Sequence, residues 1–84
     1  MEPDVIQVEA LPPLALQVQF ADGTSGIVQF KESHLTGVFN RLLDPEFFKQ
    51  VHIQRGVVTW PGELDLAPDA MYQAIKSQGQ WVLS

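Results

Sequence analysis

The chain has 84 residues, ten acids against five bases, a formal net charge of −5 and no cysteine. That length suits one domain with one core, spanning 1–84, and a hydrophobic content of 45% excludes a disordered chain. The missing cysteine excludes disulfides and thiolate chemistry, and no apolar run is long enough to span a membrane.

The first element in chain order is a strand over Val5–Glu9, built of β-forming residues. Leu11-Pro12-Pro13 interrupts it, because two prolines cannot sit in a central ladder. Leu14 to Phe20 is the clearest strand. Leu14, Leu16, Val18 and Phe20 point one way and Ala15, Gln17 and Gln19 the other, the period of a half-buried antiparallel strand. Asp22 and Gly23 form a hairpin turn, and the chain returns over 25–30.

Leu35, Val38, Phe39 and Leu42 then recur at helical spacing, with the firm helix expected from Thr36 or Gly37. Asp44-Pro45-Glu46 reads as a cap, a first-turn proline and a first-turn acid, opening a second short helix that carries Phe47 and Phe48. All three phenylalanines are expected in the core. Segments 51–53 and 57–60 flank Arg55-Gly56 as a second hairpin. Trp60-Pro61-Gly62, followed by Asp65 and Pro68, marks the junction between that hairpin and a last helix. This helix runs to about Lys76, with Met71 and Ile75 on one stripe and Gly79 as its stop. Trp81, Val82 and Leu83 form an apolar tail, expected either as a short edge strand or as the contact of a homodimer. Strands in hairpins with segregated helices give an α+β fold: antiparallel β-hairpins, two short central helices and a C-terminal helix.

Few residues offer chemistry. His34 and His52 are the only histidines, and without cysteine they fall short of the ligands a zinc site needs. Glu63, Asp65 and Asp69 are an acidic group that could act as acid and base or hold a cation. Turn and helix-start roles account for Asp65 and Asp69 more simply, Asp65 by satisfying turn amides and Asp69 by facing the positive end of the helix dipole. No serine lies in a nucleophile elbow, and no glycine pattern would cradle phosphate. Trp60 is expected in the core, since base-stacking aromatics normally come with a basic groove. No catalytic, metal or cofactor site is expected.

Lys31, Arg41, Lys49, Arg55 and Lys76 are scattered, whereas a duplex reader gathers its bases on one face. Direct nucleic-acid binding is therefore not expected, and the acid excess suits a basic partner. The start Met1-Glu2-Pro3-Asp4 is the opposite of a secretory signal, and a cytoplasmic location is expected.

Three segments together carry a resemblance: Val18-Gln19-Phe20-Ala21-Asp22-Gly23-Thr24, then Leu42-Leu43-Asp44-Pro45-Glu46-Phe47-Phe48, then the stretch from Gly56 through Trp60-Pro61-Gly62-Glu63-Leu64-Asp65-Leu66 to Tyr72. The chain from Val5 to Tyr72 resembles domain-of-unknown-function family 2442, a family of small, mainly bacterial proteins. The resemblance implies a compact α+β domain and carries over no catalytic residue. Some longer relatives append a helix-turn-helix, which this sequence, ending at Ser84, lacks. Others are encoded beside another small protein in a toxin–antitoxin-like arrangement. The expectation is a non-catalytic protein-interaction module, an antitoxin-like partner of a small basic protein. The alternative is a small-ligand sensory domain related to the N-terminal part of helix-turn-helix regulators.

Overall fold

Alternation of apolar and polar residues decides the central strand. In the computed structural model, which describes residues 4–11, 14–35, 37–62 and 64–83, that segment is β2 (Ala15–Phe20), lying between β1 (Val5–Leu11) and β3 (Ser25–Phe30). Leu16, Val18 and Phe20 are buried, and Val28 and Phe30 lie beside them on β3. β1 runs on to Leu11, which pairs with Ala15. Pro12 and Pro13 lie outside the described residues.

A β-bulge explains the irregular pattern of β1. Val5 pairs with Phe20 and Gln7 with Gln19, leaving Ile6 as the extra residue. A one-residue bulge shifts the alternation by one, so Val5, Val8 and Ala10 all turn inward while Ile6 is 54% exposed.

The central helices differ from expectation. Gly37–Leu43 is a 3₁₀ stretch, preceded by a short 3₁₀ turn at Glu32–His34; only α1 (Pro45–Phe48) is α-helical. Gly37 adopts φ +59, which breaks a continuous α-helix through Leu35 and Leu42. The 3₁₀ spacing of three still brings Phe39 and Leu42 to the core. Thr36 lies outside the described residues. The start of α1 is as expected, with the Asp44 carboxylate accepting from the Glu46 N–H at 3.0 Å and Phe47 and Phe48 buried.

A second sheet follows in the order β4 (His52–Gln54), β5 (Val57–Trp60), β6 (Leu64–Asp65), all antiparallel. β6 is too short to announce itself by periodicity, and its pairing with β5 is what holds the 60–65 junction. α2 (Pro68–Gln78) begins on Pro68, carries Asp69 in its first turn and ends at Gly79, whose N–H bonds the Ile75 carbonyl at 2.7 Å. β7 (Gln80–Leu83) then pairs parallel with β3, completing the order β1-β2-β3-β7. The tail is thus the edge strand, and the α+β fold holds with one parallel pair among antiparallel hairpins.

The core lies on one side of the four-stranded sheet. Leu42, Phe48, Val58, Trp60, Met71 and Ile75 close over it. Phe30, Phe48 and Trp60 form an aromatic cluster with centroids 5.8–6.1 Å apart. No helix among the described residues is long and apolar enough to cross a membrane.

Candidate functional site

Inward-facing residues of the four-stranded sheet define, by alternation, what its other face presents. Register places Leu11, Ala15, Gln29 and Val82 in one cross-strand row, Glu9, Gln17, Ile27 and Gln80 in the next, and Gln7, Gln19 and Ser25 in a third. On this face Gln7, Glu9, Gln17, Gln29 and Gln80 are exposed, and Leu11, Ala15, Gln19 and Ile27 half-buried. It carries one acid, Glu9, and no lysine or arginine at these positions. Where β1 passes β4, the face deepens into an open groove of about 850 Å³, lined by Gln7, Glu9, Gln17 and Gln19 from one sheet and by His52 and Ile53 from the other.

A second row crosses the small sheet. His52 pairs with Thr59 and Thr59 with Asp65. The Thr59 hydroxyl, although its residue is buried, donates to the Asp65 carboxylate and lies 3.3 Å from the carbonyls of Trp60 and Leu64. This contact, in which Asp65 accepts the Thr59 hydroxyl, ties β6 to β5. His52 is exposed, with Nδ1 3.1 Å from the Gln50 carbonyl. An open groove of about 590 Å³ runs past His52, Arg55, Thr59 and Asp65. Glu63 lies outside the described residues, and the His34 side chain is likewise not described. Asp69 is exposed at the start of α2. Among the described residues, no three of His, Asp or Glu are grouped to hold a metal ion.

Trp60 is 1% exposed, and its Nε1–H donates to the Phe48 carbonyl at 2.9 Å. Pro61 and Gly62 form the exposed β5–β6 turn. Asp22 accepts from the Thr24 N–H at 2.9 Å, which closes the turn at Gly23, and from the Tyr72 hydroxyl at 2.6 Å. Trp81 and Leu83 pack against the core, whereas Val82 is 40% exposed.

The family model described as protein of unknown function (DUF2442) matches residues 5–77. The chain belongs to the DUF2442 family. No curated protein and no solved structure matches it. The match takes in every strand up to β6 and almost all of α2, so it includes the small sheet, three of the four strands of the larger one and the groove between them, and leaves out β7.

Two features of this DUF2442 chain escape sequence reading. The glutamines alternate with apolar residues, a visible signal, but their assembly into one face needs the register of four strands. The Tyr72–Asp22 contact joins residues 50 positions apart.

That contact has a measurable consequence. The Tyr72 hydroxyl foremost, and the Thr24 amide next, hold the exposed Asp22 carboxyl down at about 2, from an ordinary 3.8. A lowered folded-state value means the ionised form is favoured by folding. The contribution is complete above the ordinary value and is lost as pH falls from about 4 towards 2. Tyr72→Phe is expected to return the Asp22 titration towards its ordinary midpoint, read from the carboxyl carbon shift by NMR. It should also reduce the difference in stability between pH 5 and pH 2. An unmoved midpoint would show that Tyr72 does not hold the charge.

Proposed function

We propose that this DUF2442 chain is a cytoplasmic, non-catalytic protein-interaction module whose partner is a small basic protein, in the manner of an acidic antitoxin. The observation that carries this reading is the outer sheet face, populated by glutamine with Glu9 as its single charge at the register positions. An amide side chain donates and accepts at once. A grid of them suits the main chain and polar side chains of another protein. The formal charge of −5 speeds encounter with a basic partner. The residues nearest to chemistry have structural duties: Thr59 and Asp65 bind each other across β5 and β6, and His52 sits beside the Gln50 carbonyl.

A small-ligand sensor would place its ligand in the same groove. Small-molecule sites are mostly apolar and enclosed, whereas this groove is open and mixes polar side chains, three of them glutamine, with apolar ones such as Ile6 and Ile53, which favours a polypeptide. The test is purification from the native host at low salt. A small basic protein co-eluting at fixed stoichiometry, and dissociating as salt is raised, is the expected result. The chain eluting alone as a monomer at low salt would count decisively against the proposal.

A further inference from the structure

We infer that the groove between β1 and β4 receives an extended, basic segment of the partner, which adds as a strand along the edges of both; the inference rests on the interaction reading above. Residues 6–9 of β1 and residues 51–53, running into β4, all line the groove. Successive side chains of a strand point to opposite faces, so runs of consecutive residues meet the groove with their edges, not with one face. β1 is the outermost strand of one sheet and β4 of the other, and the two are not hydrogen-bonded neighbours. They converge at one end, where the Val5 N–H bonds the Gly56 carbonyl at 3.0 Å. Beyond that anchor the strands carry main-chain groups that an added strand can pair with, while Gln17 and Gln19 offer amides to its side chains.

Charge selects the occupant and the edge. The groove lining contains Glu9 and no lysine or arginine, and Asp4 packs at its closed end, where a Cβ on Gly56 would come within 2.6 Å of the Asp4 carboxylate. At the other sheet edge, β7, the Lys31 backbone N–H bonds the Leu83 carbonyl at 2.9 Å, and the strand Gln80–Leu83 carries no acid. A basic strand is therefore drawn to the groove, where the carboxylates lie, rather than to β7.

The experiment titrates the isotope-labelled full chain with two synthetic peptides, one alternating lysine with valine and one alternating glutamate with valine. The lysine peptide is expected to shift the amide signals of 6–9 and 51–53 and to slow their hydrogen exchange, with the glutamate peptide inert. Glu9→Lys, an exposed substitution, should weaken the lysine peptide roughly threefold, the scale of a reversed surface charge. Shifts centred on 80–83, or equal shifts from both peptides, would overturn the groove assignment yet leave an interaction module standing. No shift from either peptide would also overturn it, and co-purification would judge the broader reading separately.

Discussion

Trp60→Ala is expected to lower stability by about 3–5 kcal/mol, the usual cost of emptying a buried aromatic site. The indole is almost fully enclosed and packs against Phe30 and Phe48. Its N–H also bonds the Phe48 carbonyl, joining β5 to α1. That carbonyl retains the Val51 N–H at 3.3 Å, so removing the indole leaves a void more than an orphaned polar group. Trp60→Phe keeps a ring in the cluster and is expected to cost about 1–3 kcal/mol. Since natural domains are stabilised by about 0.05–0.15 kcal/mol per residue, the alanine variant should leave a sizeable unfolded fraction. Urea unfolding, with Trp81 as the remaining fluorophore, measures both variants. Unchanged midpoints would place Trp60 outside the core.

Gly26→Ala is expected to destabilise by about 1–3 kcal/mol, as extra atoms do in a filled core. A Cβ at Gly26 would lie 2.6 Å from the Ile75 Cγ2 and 2.7 Å from the Gly79 carbonyl oxygen. The isoleucine can rotate away, but the carbonyl cannot, because it accepts from the Ile27 N–H where α2 turns into β7. Ile75→Ala in the same chain should therefore recover only part of the loss, giving a double-mutant coupling rather than simple addition. Full recovery, or no loss in the single variant, would show that the helix end is free to move off β3. Gly23→Ala is a useful contrast: nothing lies within 4 Å of a Cβ there, and any cost comes from its φ of +91 alone.

The two glycines show where sequence reading succeeds and where it stops. Asp22-Gly23 is a local signal, because the turn it makes is stabilised by the aspartate two residues before the amide it accepts. Gly26 carries no local signal at all. Its reason is an approach by Ile75 and Gly79, distant in the chain, and only their packing shows that a side chain has no room. The central helices make the same point. Apolar residues at helical spacing correctly mark Leu35, Phe39 and Leu42 for the core, but the Phe39–Leu42 step of three suits a 3₁₀ helix as well as an α-helix, and the backbone at Gly37 separates Leu35 from that helix.

The prospective interaction site divides along the same line. Net charge, the missing thiol chemistry, the alternating faces of β2, the Asp44 cap and the helix after Pro68 all follow from short-range rules of polarity, turn geometry and capping, and so were legible before any coordinates. The two hairpin pairings were legible as well, but not that β1 flanks β2, that β6 closes on β5, or that β7 returns parallel to β3 with Trp81 and Leu83 turned to the core. The convergence of two sheet edges on the glutamine face was equally out of reach. Pairing partners are chosen by long-range burial, and the alternation of one strand is compatible with many neighbours.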